Sequence, residues 1–162
     1  MENCIPSLRR YGRSLTRDQQ EVDDLVHDTL VRALEKLHTR RGAGDLRPWL
    51  FAIMHNLFVS RFRQTKRRGK PERIDVVTEG ALTQAPSQEM RMETHRVWEA
   101  LHTLPPEQRS VLVLICVEEL SYADVARVLD IPIGTVMSRL SRARERLARA
   151  LESRDAAQEV EP

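Results

Sequence analysis

Five side chains in the stretch "IPIGTVMSRLSRARERL" carry the chemistry of a nucleic-acid reader. Thr135, Ser138 and Ser141 offer short hydroxyls that allow close approach. Arg139 and Arg142 can pair with guanine O6 and N7 or grip a phosphate. Val136, Leu140, Ala143, Leu147 and Leu151 follow at steps of four, three, four and four. On a helix of ~100° per residue they fall within about 80° of one another and face a core. The polar five then lie opposite, near the start of the helix. Arg144, Arg146 and Arg149 continue beyond them, toward a nucleic-acid backbone or a neighbouring surface. A helical hairpin with a merely solvated, arginine-rich face fits the spacing too.

A second basic cluster lies in "RFRQTKRRGKPER", with seven basic residues against the single acid Glu72. A run of this kind commonly keeps a helix soluble. Read functionally, Asn56, Arg61 and Arg63 share one exposed face and meet DNA. Net charge over the 162 residues is only +2, so the distribution carries the information. The acids gather in an N-terminal helix, at Glu21, Asp23, Asp24 and Asp28.

Other chemistries find no support. There is no nucleophile beside a base, no pair of carboxylates in an apolar setting and no phosphate-binding glycine loop, so no enzyme and no cofactor are expected. His27, His38, His55, His95 and His102 share no metal-ligand spacing. Cys4 and Cys116 are far apart and read as idle thiols in a reducing, cytoplasmic setting. No apolar run spans a membrane, and no signal segment opens the chain.

The elements that position these groups are helical throughout. Ile5, Leu8, Tyr11 and Leu15 set one helix. Val22, Leu25, Val26, Leu30, Ala33, Leu34 and Leu37 set a second. Gly42 and Gly44 punctuate a turn, and Pro48 suits the first turn of a third helix, buried at first and exposed at its basic end. Trp49 and Phe51 belong in the core. From Gly69 the period fails, with Pro71, Gly80 and Pro86, and a linker follows. Helical periodicity resumes with Val97, Leu101 and Leu104, and Pro105 and Pro106 break it. "PEQRSVLVLICVEEL" reads as a buried helix, with its β-branched content leaving a strand open. Ser121 caps the next helix, with Asp124 as a weaker capping-box acid. Val125, Ala126 and Leu129 face inward. Pro132 ends that helix, and Ile131 plugs the bend. A helix, a sharp turn and a second helix that puts its first turns forward make a helix-turn-helix. The expected fold is all-α: two small helical domains, residues 1–68 and 92–152, joined by a flexible linker over 69–91, with a polar tail over 153–162.

"DDLVHDTLVRALEKL", then "RPWLFAIMHNLFVSRFRQTKRR", then "LPPEQRSVLVLICVEELSYADVARVLDIPIGTVMSRLSRARERL" resembles the extracytoplasmic-function (group IV) sigma factors of bacterial RNA polymerase. The resemblance covers about Ile5 to Leu151. It implies that residues 1–68 correspond to sigma region 2 and residues 92–152 to sigma region 4. It further implies that Asp24, Leu25, His27 and Asp28 dock on the β′ clamp helices. The turn from His38 to Asp45, with Arg40 and Arg41, would hold a flipped base of the −10 element. Asn56, with Arg61 and Arg63 after it, would meet the −10 strand. Tyr122, Ser138, Ser141 and Arg142 would face the −35 duplex, with region 4 packed on the β flap.

The implied function is promoter-specific initiation with core RNA polymerase, and the implied regulator is an anti-sigma protein. A stand-alone helix-turn-helix regulator is the alternative, but it leaves the acidic helix and the first basic block unexplained. Several residues depart from the family pattern. His27 stands for Gln, Met137 for Lys or Arg, Ile115 for a DNA-facing Arg, and Arg40 for an apolar loop residue. The resemblance also implies one helix fewer before Ile5 than in many members, and no additional C-terminal domain.

Overall fold

The computed structural model describes residues 1–40, 42, 44–69 and 88–158. Seven α-helices order them: α1 Ile5–Leu15, α2 Gln19–Lys36, α3 Leu46–Arg67, α4 Gln88–His102, α5 Pro106–Leu112, α6 Tyr122–Leu129 and α7 Ile133–Gln158. The all-α expectation holds, and the described residues include no strand.

The first three helices pack on one another. Thr16 turns extended, which ends α1, and the Asp18 carboxylate accepts from the Gln20 and Glu21 amides to start α2. Gly12 allows α1 and α2 to cross closely: a Cβ there would sit 3.0 Å from Val22 Cγ1. Asp45 caps α3 by accepting from the Arg47 amide at 2.9 Å. Leu50, Phe51 and Met54 then enter the core, where Tyr11 meets Phe51 edge-on. Trp49 is half-buried against that core, with the Arg40 guanidinium over its ring.

Helices α4 to α7 form the second group. Pro105 and Pro106 open α5, which continues into a wider π turn over Val113–Val117. The β-branched run is therefore helix. Its burial is uneven: Val111 to Leu114 are buried, Ile115 is half-buried and Val117 is exposed. Glu119 follows at φ 56°, and the chain turns into α6. Ser121 caps α6 as its sequence predicts, accepting from the Asp124 amide while its hydroxyl donates to the Asp124 carboxylate at 2.7 Å. Asp130 adopts left-handed geometry and lets the Ile131 amide reach Ala126 O at 3.0 Å, which closes the bend. Val125 and Val128 are the buried residues of α6, and Leu129 lies half-buried beside them.

Three expectations change. Leu34 and Leu37 are exposed together with Val31, because the last turns of α2 bury only the side that carries Thr29 and Ala33. α4 begins at Gln88, inside the stretch read as linker, and the remaining linker residues 70–87 lie outside the described residues. The polar end of the chain is helical to Gln158: it holds no Gly or Pro there, and Asp155 and Arg154 pair with Arg96 and Glu99 of α4. Residues 159–162 of the expected tail lie outside the described residues.

The two groups also meet. α3 packs against α6, and α1 against α4 and α5.

Candidate nucleic-acid interface

Helix α7 carries the residues expected to read duplex DNA. Val136, Leu140 and Ala143 are buried against α5 and α6, which fixes the helix about its own axis. Ser138, Ser141 and Arg142 are then exposed together, at helical positions within about 100° of one another. Ser138 Oγ bonds back to Thr135 O at 3.1 Å, and Thr135 itself is half-buried. Tyr122, at the start of α6, is 39% exposed. Met137 is 52% exposed on the flank of this face.

Arg139 does not join that face. It is half-buried and lines the groove between the two helical groups, where its charge acts on His55 of α3. Burial first, then the Arg139 charge, brings His55 down to about 4. The neutral ring bonds the Tyr11 hydroxyl through Nδ1 at 3.0 Å.

On α3, Asn56 and Arg63 are exposed and seven residues apart, hence nearly aligned. Arg61 lies about 140° from Asn56 at ~100° per residue, so the three do not share one face. Its guanidinium instead pairs with Asp28 of α2. Arg40 bonds the Gly44 and Asp45 carbonyls across the turn that Gly42 makes possible at φ 100°. Arg41 lies outside the described residues.

Asp24, His27 and Asp28 are exposed on α2. Leu25 has no exposed surface. It lies beside that face, about 60° from Asp28 at ~100° per residue, and is turned into the core, so in this arrangement it supports the acidic face from within and offers no surface to a docked partner.

The least expected feature joins the two groups. Glu118 is buried, and its carboxylate takes Arg10 Nε at 2.9 Å and Arg47 Nη2 at 3.2 Å. Arg47 also donates to Glu118 O at 2.7 Å. Spacing offers no sign of these pairs, which are 108 and 71 residues apart. The one available signal is an acid closing an otherwise apolar run. A groove of about 1470 Å³ runs along the same junction, with Phe58, Val59, Phe62 and Leu129 on its apolar walls and Arg63 and Arg139 at its basic ones. Among the described residues no group of side chains could hold a metal, and no helix is long and apolar enough to cross a membrane.

A capped helix-turn-helix with an exposed hydroxyl and arginine face, carried beside a second basic helix, defines an all-helical DNA-binding protein. Residues 94–147 match the family described as Sigma-70, region 4, and residues 1–55 match the Sigma2 domain of PhyR. The chain is 37% identical to the ECF RNA polymerase sigma factor EcfG of Rhodopseudomonas palustris, covering 91% of this chain and 81% of that one. It is 35% identical to the ECF sigma factor SigM of Mycobacterium tuberculosis, over 89% and 71%. Its fold is similar to the sigma factor RpoE of Bartonella quintana, solved in complex with the anti-sigma factor NepR (TM-score 0.80, 31% identity, 93% of each chain). It is also similar to CnrH, solved with the cytosolic domain of CnrY (TM-score 0.68, 27% identity, 94% of this chain and 84% of that one). The chain belongs to the ECF family of RNA polymerase sigma factors, the subunits that direct promoter-specific initiation of transcription.

Proposed function

We propose that this sigma factor reads the −35 duplex with Tyr122, Ser138, Ser141 and Arg142 and the opened −10 strand with Asn56 and Arg63. The observation that carries the reading is the pairing, in one chain, of an exposed Ser138–Ser141–Arg142 face with an exposed Asn56–Arg63 face. Hydroxyls and arginine on a helix that fits the major groove suit duplex. An amide and a cation beside a turn suit a single strand that must be gripped by its backbone and a displaced base. Arg40 is the loop residue for that base, and Arg41 is its neighbour in sequence. Thr135 and Arg139 play a secondary part, because both are half-buried.

Asp24, His27 and Asp28 form the acidic surface for the β′ clamp helices of core polymerase, and the helix-turn-helix domain packs on the β flap. Neither reader alone makes a tight complex. Polymerase holds both at fixed separation and converts two modest contacts into one firm one. The protein works in the cytoplasm and is not an enzyme. An anti-sigma protein keeps it inactive; the complexes of RpoE with NepR and of CnrH with CnrY support this, as does the apolar groove lined by Phe58, Phe62 and Leu129.

Reconstitution with core polymerase and mapping of transcript starts tests the reading. Starts clustered behind a shared pair of elements are expected. Tight, sequence-specific binding of promoter DNA by the free chain, with no change on adding core, would instead fit a stand-alone helix-turn-helix regulator.

A further inference from the structure

We propose that Glu118, clasped by Arg10 and Arg47, is an intramolecular latch that holds the free sigma factor closed and incapable of reading a promoter. Its bearing on transcription rests on the function proposed above; the latch itself does not.

Geometry supplies the first step. Elements named for positions −10 and −35 are separated by roughly 25 base pairs, or ~85 Å of duplex at ~3.4 Å per base pair. In this structure α3, which carries Asn56, packs directly against α6 of the helix-turn-helix. Packed helices lie ~10 Å apart. The two readers therefore cannot engage both elements without the helical groups separating.

Chemistry supplies the second. The Glu118 side chain is 0% exposed, yet its partners Arg10 and Arg47 keep 42% and 33% exposure. The carboxylate belongs to the second helical group, and both guanidinium groups belong to the first. Arg10 is further oriented by Ser7 Oγ at 3.0 Å. Buried between the groups, the carboxylate is satisfied only while they are together. Separation lets water reach all three charges at once, so it leaves no buried ion unpaired. A buried ion pair gives modest net stability and strong geometric definition. That combination suits a junction that must close in one arrangement and still open. Tyr11 adds to the junction: its hydroxyl bonds His55 on its own side, and its helix α1 packs on α5 across it.

A closed state at equilibrium weakens the apparent affinity for polymerase by the fraction of open molecules. Loosening the latch therefore raises that affinity, although it removes native contacts.

The test uses the full chain with Cys4 and Cys116 replaced by serine and spin labels at Ser60→Cys in α3 and Ser153→Cys in α7. Distances between the labels are measured by pulsed electron resonance, and binding to core polymerase is titrated in parallel. The parent should give one narrow distance, and a radius of gyration near the ~15 Å of a compact chain of this length. Glu118→Gln should broaden the distribution toward longer distances, and Glu118→Lys, which places a cation between two arginines, should broaden it further. Both should bind core at least threefold more tightly. Arg9→Ala, which removes only an exposed pair with Asp23 inside the first group, serves as the reference and should change nothing. Should Glu118→Lys lose helix content by circular dichroism, Glu118→Gln decides. Unchanged distances in a helical Glu118→Gln variant overturn the latch, as does a parent already broad and long. Altered distances in a chain that never binds core would uphold the latch and sink the sigma reading.

Discussion

Helices α3 and α7 both start apolar and end rich in arginine, but they use that pattern differently. α7 keeps a neighbour along most of its length. Val136, Leu140 and Ala143 are buried, and Leu147, Leu151 and Arg154 remain half-covered, with pairs to α4 near its end. Its arginines are therefore held at fixed angles around a ridge that cannot rotate. α3 buries Leu50, Phe51 and Met54 and nothing later, and every residue from Phe62 to Gly69 is exposed. Beyond Arg61, which Asp28 of α2 holds, its basic residues lie on an exposed helix end that borders the groove. The contrast is the one the proposed division between duplex and single strand requires. Reading base edges in a duplex needs a rigidly aimed face, whereas following a flexible strand needs charge within reach.

The contrast predicts a large asymmetry in stability. Leu140→Ala removes a side chain that is 3% exposed from the ridge of α7, and it should cost about 2–5 kcal/mol. Phe62→Ala removes a larger side chain, 45% exposed and stacked on Phe58, from the exposed end of α3, and it should cost about 1 kcal/mol or less. Chemical denaturation of the two variants checks this. Equal midpoints would mean that the basic end of α3 is packed as firmly as α7.

Function should divide along the same line. Arg142→Ala in holoenzyme should reduce transcription about tenfold at promoters that depend on a −35 element, and leave core binding intact. Asn56→Ala should slow strand opening, seen as weaker permanganate reactivity around −10, while duplex binding is retained. A loss from Arg142→Ala that is equal at promoters without a −35 match contradicts the assignment.

How much of this was legible in the sequence follows from the range of the interactions. The helix-turn-helix was readable because its signals are local. The Ser121 cap, the Pro132 break and the Val136–Leu140–Ala143 ridge all act within a few residues. The family resemblance added the pairing of two DNA readers. Local periodicity misjudged the end of α2, where Leu34 and Leu37 repeat in register yet stay exposed. Periodicity did place Leu25 on the apolar stripe of α2 with Val22 and Val26, and all three are buried; it was the resemblance, carried over by position, that grouped Leu25 with the charged residues of "DDLVHD". Arg61 was grouped with Asn56 by proximity in sequence, while its angle on the helix and the Asp28 carboxylate set it apart. Glu118 was out of reach, because its partners lie in the other half of the chain.

The junction makes a further difference between the halves measurable by pH. His55 and His102 are each brought down to about 4, chiefly by burial; Arg139 adds to the effect at His55, and Arg109 and Arg17 at His102. The unfolded chain takes up protons near pH 6.5, well above the folded value, so between those limits it binds more protons than the native state. Stability should be full above about pH 6.5 and decline as pH falls toward 4. His55→Phe should flatten part of the slope in Tm, with His102 carrying the remainder. A slope unchanged in that variant would show that His55 already takes up its proton in the fold.

The smallest predicted effect concerns the flank of the face on α7. Met137 stands where the resemblance implies Lys or Arg, and it is 52% exposed beside Ser138. An exposed thioether makes no charge-assisted bond, so the missing interaction is an electrostatic one to the DNA backbone. Met137→Arg should restore it. A single added phosphate contact steepens the dependence of log K on log salt by about 0.9 and raises affinity several-fold at low salt. Because a backbone contact carries no sequence information, matched and mismatched −35 elements should gain alike. Holoenzyme binding to both, across a salt series, measures the two quantities together. A gain confined to the matched element, with the salt slope unmoved, would place Met137 over base edges and make it part of the reading face beside Ser138, Ser141 and Arg142.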